Sequence, residues 1–195
     1  MVARRLWPHR VSRPWLFPED QRRGSIRVMS AAPETAPPGH LADFDFLVGR
    51  WKVDHRRLVG RLVGSNEWEE FDGECAMQKL LGGQANVDDN VLRAPAGTYR
   101  AMTIRVFDPS AHEWSIYWID SRYPPSTIEA PVVGGFADGR GLFFAEGEVE
   151  GRVVRTRFVW HVDGLDSCRW EQAASIDGGL TWETNWYMDF ERVAS

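Results

Sequence analysis

Val153-Val-Arg-Thr-Arg-Phe-Val-Trp-His-Val162, followed by Asp163-Gly164 and then Cys168-Arg-Trp-Glu-Gln-Ala-Ala-Ser-Ile176, decides the fold. In the first run Val154, Thr156, Phe158, Trp160 and Val162 share one face. Val153, Arg155, Arg157, Val159 and His161 share the other. In the second run Trp170, Gln172, Ala174 and Ile176 oppose Arg169, Glu171, Ala173 and Ser175. Alternation with period two places one face on a core and one in water, which is the signature of a half-buried strand. The Asp-Gly between the runs supplies the positive φ of a tight turn. The stretch therefore predicts an antiparallel hairpin.

The same grammar extends outward in both directions. It predicts strands near 50–59, 65–72, 74–81, 98–107, 113–121, 127–134, 142–150, 153–162, 168–176 and 181–193. Breaks fall at Asp72-Gly73, Gly82-Gly83, Asp108-Pro109, Pro124-Pro125, Asp138-Gly139, Glu150-Gly151, Asp163-Gly164 and Asp177-Gly178-Gly179. Short turns make consecutive strands antiparallel neighbours, and no helical stretch separates them, so a parallel α/β sheet is excluded. A sheet of about ten strands curls or closes, and closure removes its edges. The expected fold is all-β, a single antiparallel up-and-down barrel, with a two-sheet sandwich second. His40–Val48 carries Leu41, Phe44, Phe46 and Leu47, and predicts a short N-terminal helix ended by Gly49.

Composition is that of a globular chain: 43 % hydrophobic and 26 % charged residues, with ten Trp. Charge is uneven. Seven Arg against Glu19 and Asp20 precede Met29, which leaves 16 basic and 26 acidic residues for the remainder. An acidic domain is not a partner for nucleic acid or an anionic membrane. Residues 1–40 lack periodicity and read as an extended or disordered tail, with Met29 the alternative start, and 41–195 as the barrel domain. No apolar h-region follows Arg4 and Arg5, and no run of 18 apolar residues marks a membrane helix. A cytoplasmic location is expected. Cys75 and Cys168 lack metal-ligand spacing and read as a reduced pair, with a cross-strand contact also open.

In 113–121 the inward face reads Trp114, Ile116, Trp118, Asp120, and in the last strand Trp182, Thr184, Trp186, Met188, Phe190, Arg192. Aromatic residues with a few polar groups among them describe an apolar pocket with anchors. Leu80–Asn90 reads as a polar loop at the barrel mouth. Its Asn86, Asp88 and Asp89 can ligate Ca²⁺, but the Glu that completes such a loop is missing. Ser175-Ile-Asp177-Gly-Gly179-Leu-Thr181-Trp182 matches the Asp-box of sialidase propellers. A single copy reads as a stabilised hairpin, without glycosidase chemistry. No pair of His has zinc spacing, and no nucleophile-elbow, P-loop or dinucleotide glycine pattern occurs.

Phe44-Asp-Phe-Leu-Val-Gly49-Arg-Trp51 resembles the opening of calycin-type barrels, the lipocalin superfamily. That resemblance implies that Trp51 plugs one barrel end and that Arg192 of the final strand packs over it. Leu80-Leu-Gly-Gly83, Tyr117-Trp118-Ile-Asp120, Arg157-Phe-Val-Trp160, Arg169-Trp-Glu-Gln172 and Asp177–Glu183 with Asn185-Trp186 extend it. Jointly they resemble bacterial proteins of unknown function of the DUF1579 type, over about residues 42–193. The resemblance implies a lipocalin-like barrel. It brings no activity and no catalytic residues.

The expected function is binding of a small apolar or aromatic molecule inside the barrel. The expected ligand-binding residues are Asn86, Asp88, Trp118, Asp120, Trp160, Trp170, Gln172 and Trp186. Gly49, Trp51, Arg192, Asp177 and Trp182 are expected to be structural. No catalytic residue, metal or cofactor is assigned, and the oligomeric state is open. Two alternatives stay beside it: an enzyme with Asp120 or Asp88 as general base, and a haem protein with His161 as axial ligand. Alternation places His161 outward with Arg155 and Arg157, against the haem reading.

Overall fold

The computed structural model describes residues 34–123, 128–149 and 151–194. The Met29 reading and the Pro124-Pro125 break lie outside the described residues. The described strands are β1 (Gly49–Leu58), β2 (Trp68–Leu80), β3 (Ala85–Ala94), β4 (Gly97–Asp108) and β5 (Glu113–Asp120). They continue as β6 (Val132–Ala137), β7 (Arg140–Val149), β8 (Arg152–Val162), β9 (Ser167–Ser175) and β10 (Glu183–Arg192). Each pairs antiparallel with its sequence neighbours, and β1 pairs β10, so the ten strands close into a barrel. The all-β, up-and-down expectation holds.

Three local expectations are corrected. The short N-terminal helix is a single 3-10 turn, Asp45–Leu47. Its carbonyls go elsewhere. Trp51 Nε1 donates to Leu47 O at 2.8 Å, and Arg192 donates to Phe46 O at 2.6 Å and Val48 O at 2.7 Å. The N–H groups of Asp43, Asp45, Leu47 and Val48 donate three residues back, to His40, Ala42, Phe44 and Asp45, so the segment winds as successive tight turns and not as an α-helix.

The predicted break at Asp72-Gly73 is continuous strand. Gly73 is there for space: a Cβ would lie 2.6 Å from Val91 O and 2.7 Å from His55 Nε2. A strand glycine can mark close approach as well as a turn. The predicted polar loop is instead largely β3, paired along its length with β2 and β4.

Alternation assigns the faces correctly in β5, β8 and β9. In β10 it holds only from Trp186 onward: Thr184 pairs with Ala173, on the face opposite to Gln172, so Thr184 and Trp182 leave the expected inward set. The register shifts between Thr184 and Trp186, a bulge that leaves Asn185 extra. Trp186, Met188, Phe190 and Arg192 therefore face inward, while Trp182 lies on the outer side under the guanidinium of Arg157, 4.4 Å from its ring.

One end is closed by aromatic packing. Phe44, Leu47, Trp51, Trp114, Phe143 and Trp160 are all buried. Phe44 meets Trp114 and Phe136 edge-on at 5.1 Å. Arg192 lies 4.1 Å over the Trp51 ring. Gly49 has φ +120°, and a Cβ there would meet Arg192 at 2.9 Å. Residues 36–39 cross β6, where the Gly39 nitrogen would sit 2.4 Å from a Cβ on Gly135. The β5–β6 pairing is short, joining Trp114–Ile116 to Val132–Gly134.

Candidate functional site

The other end is open. Inside it is a cavity of about 910 Å³, walled by Trp118, Phe158, Trp170 and Trp186. Cross-strand register stacks these walls: Phe158 faces Gln172, and Gln172 faces Trp186. Trp186 meets Trp118 and Trp170 edge-on at 5.8 Å and 5.6 Å. The rings are braced against one another and keep their shape without an occupant.

Polar groups punctuate this wall. Gln172 Nε2 donates to Asn185 Oδ1 at 2.8 Å. Asn185 is 1 % exposed, and its Nδ2 has no hydrogen-bond partner. Asp120 accepts two-handed from Arg122, with Nε at 3.0 Å and Nη2 at 2.7 Å. Burial works to raise the Asp120 carboxyl, but the Arg122 bonds and charge outweigh it and hold the group below its ordinary value. A carboxylate so held is a weak base, and Arg122 engages both its oxygens. The geometry does not favour Asp120 as a general base.

Four arginines line the cavity, Arg57, Arg61, Arg122 and Arg152. Arg57 is bound to Glu69 at 2.7 Å and to Tyr99 Oη at 2.8 Å. Arg122 lies 3.7 Å over the Tyr99 ring. Arg61, from the β1–β2 connection, lies 5.9 Å from the Trp186 ring. Arg61 is exposed, but it lines the cavity. Desolvation there, then the like charge of Arg57, pull its guanidinium below the ordinary value.

Asn86 and Asp88 are not at this mouth. Both are 2 % exposed, on the inward face of β3, beneath the closed end. Asp88 pairs with Arg105 at 2.7 Å and accepts from Thr103 N at 3.0 Å and Asn90 Nδ2 at 2.5 Å. Asn86 Oδ1 accepts from Arg105 at 3.0 Å. Arg105 reaches up to Phe44, 4.9 Å from its ring. The cluster is a buried ion pair with its own satisfied carboxylate, so Asp88 is no free base either. Asp89, next in sequence, points outward to Arg100. Neighbours on opposite faces do not form one Ca²⁺ site. Below the ion pair lies a void of about 30 Å³ that Trp160 also lines. Arg105 Nε and Trp160 Nε1 are buried there without partners. The void is large enough for one water.

Of the eight expected ligand residues, Trp118, Asp120, Trp170, Gln172 and Trp186 line the large cavity. Asp88 and Trp160 line only the small void, and Asn86 lines neither. Sequence reasoning missed Arg57, Arg61, Arg122 and Asn185. Arg61 and Arg122 sit in turns, where alternation is silent, and Asn185 is the bulge; Arg57 continues the inward face of Trp51, Val53 and His55 on β1, so the period of two was its available signal.

His161 is on the outer face, 3.2 Å from Glu171. It cannot reach a ligand in the interior. His55 does face inward. It stacks on Phe71 at 4.6 Å, and its Nδ1 accepts from Trp186 Nε1 at 3.3 Å. Burial, then the charge of Arg57, lower its pKa to about 3. With Nδ1 engaged and Nε2 against Gly73, it offers no open nitrogen.

At the turn before β10, Asp177 Oδ1 accepts from Leu180 N at 3.0 Å and Thr181 N at 2.9 Å, and Oδ2 accepts from Thr181 Oγ1 at 2.5 Å. Those bonds hold its carboxyl far below the usual range. Cys75 and Cys168 are buried free thiols on strands that are not neighbours. Burial pushes Cys75 well up and Cys168 to about 12.

No family model and no curated protein matches the chain. Among solved structures, the S-type phycobiliprotein lyase from Guillardia theta matches at TM-score 0.51 and 11 % identity, covering 78 % of this chain and 91 % of that one. A de novo designed fluorescence-activating β-barrel matches at TM-score 0.42 and 13 % identity, covering 77 % and 98 %. The structure of EF1p2_mFAP2b bound to DFHBI gives 0.42 and 10 %, covering 78 % and 98 %. At 11 % identity the likeness to the lyase is one of fold alone.

Proposed function

We propose that this protein binds a small apolar or aromatic molecule in the cavity at the open end of its barrel. One observation carries the reading: about 910 Å³ of space, walled by braced aromatic rings with a few polar anchors. A small-molecule site has that size and that mix. The lyase likeness contributes the fold alone, and the DUF1579 resemblance brings no activity. Neither interior Asp is free to act as a base, so binding is favoured over catalysis.

The test is titration with 1-pyrenebutanol, a neutral aromatic probe, followed by tryptophan quenching. Saturable quenching is expected in the native protein. Ala174→Trp fills the cavity from β9 and should abolish it while leaving the fold intact by circular dichroism. Quenching that does not saturate, or that survives Ala174→Trp, overturns the reading.

A further inference from the structure

We infer that the occupant of the open end carries a carboxylate on its apolar or aromatic body, and that Arg61 receives it. This rests on the binding reading above and adds the charge of the ligand.

The mouth holds more donors than its own acceptors satisfy. Arg57 is neutralised by Glu69, and Arg122 by Asp120. Arg61 has no carboxylate within ion-pair distance among the described residues, although the chain as a whole carries a net charge of −5. Glu129 lines the same cavity, but it is exposed at the rim and makes no ion pair with Arg61. Like charges near one another in a partly desolvated site repel, and an added anion relieves that repulsion.

Arg61 is also placed there by its backbone. The next residue, Leu62, donates its N–H to Glu183 Oε1 at 2.7 Å, which ties the connection to the start of β10. Leu62 has φ +58°, a left-handed conformation unusual for a branched side chain. The same stretch of β10 carries Asn185, whose buried Nδ2 lacks an acceptor. Two donors of different kinds, one charged and one neutral, therefore belong to one cavity and await acceptors. A carboxylate matches a single free guanidinium in charge and in two-handed geometry. A dianionic phosphate would need a second free cation, and Arg57, Arg122 and Arg152, the other arginines of the cavity, already have partners.

The test compares 1-pyrenebutyrate with 1-pyrenebutanol, two probes of one shape that differ in charge. The butyrate should bind the native full-length chain about tenfold more tightly at low salt. In Arg61→Gln that preference should fall to about unity, with butanol affinity unchanged as the check on folding. Arg50→Gln, on the outer face of β1, should keep the preference. Equal, saturable binding of both probes to the native protein overturns the anion inference and leaves the binding reading standing. Failure of both probes to bind removes both. A preference that survives Arg61→Gln overturns the assignment to Arg61.

Discussion

The two ends of the barrel are built from the same residue types and finished differently. At the closed end the aromatic rings pack on one another, and Arg192 takes three backbone carbonyls, Phe46, Val48 and Leu165. The buried charge of Arg105 is matched by Asp88. At the open end the rings line a space they do not fill, and Arg61 has no carboxylate. The contrast teaches where to look for function. A chain that pairs its buried charge and leaves only a water-sized void at one end, while the other holds a large space and an unmatched cation, is arranged for an occupant at the second.

That contrast can be broken in graded steps. The largest effect is expected from Arg105→Met, which strands Asp88 as an unpaired buried charge. It should cost about 3–5 kcal/mol in denaturant unfolding, and adding Asp88→Leu should recover most of the loss. A double variant as unstable as the single one would show that the pair does more than neutralise itself. Next comes acid. His55 takes a proton near pH 6.5 in the unfolded chain but only near pH 3 when folded. Stability should therefore fall as pH drops below about 6.5, by about 2 kcal/mol between pH 7 and pH 5. His55→Gln should flatten that slope, and a slope unchanged by it would assign the effect elsewhere. The smallest effect is at the open end. Arg61→Gln should change stability by less than about 0.5 kcal/mol, because no structural ion pair depends on it. A larger loss would mean that Arg61 holds the mouth together rather than serving an occupant.

Most of the barrel was legible because alternation and turn chemistry report on backbone geometry directly. Runs such as Trp114–Asp120 and Val153–Val162 have one apolar face, and the structure turns that face inward. Ala85–Ala94 defeated the same rule. Its inward residues Asn86, Asp88 and Asn90 are polar because Arg105 and Thr103 meet them from β4. A strand whose partner supplies the compensating charge looks like a loop when read alone. The period of two was present there, with Val87, Asp89 and Val91 on the other face, and Arg105 in the next run was the available signal. Asp72-Gly73 misled for a different reason, since glycine serves turns and tight contacts alike. The aromatic wall of the site could be read from the sequence, because it sits on regular strands. The Arg61 side of its mouth could not. Arg61 is placed by a backbone bond from Leu62 to Glu183, more than a hundred residues away, and local pattern holds no record of that.

The short pairing of β5 with β6 gives the barrel a seam. Beyond Ile116, the β5 residues Tyr117–Asp120 keep β4 as a neighbour but have no strand partner on the β6 side among the described residues. Among those residues, the wall that carries Trp118 is strand-paired along its β4 flank. Backbone amides facing the β6 side are expected to exchange with solvent before those of the plugged end, which amide hydrogen exchange would read. On the binding reading proposed above, ligand entry and local opening would draw on the same short pairing, so a change that extends it should slow both together.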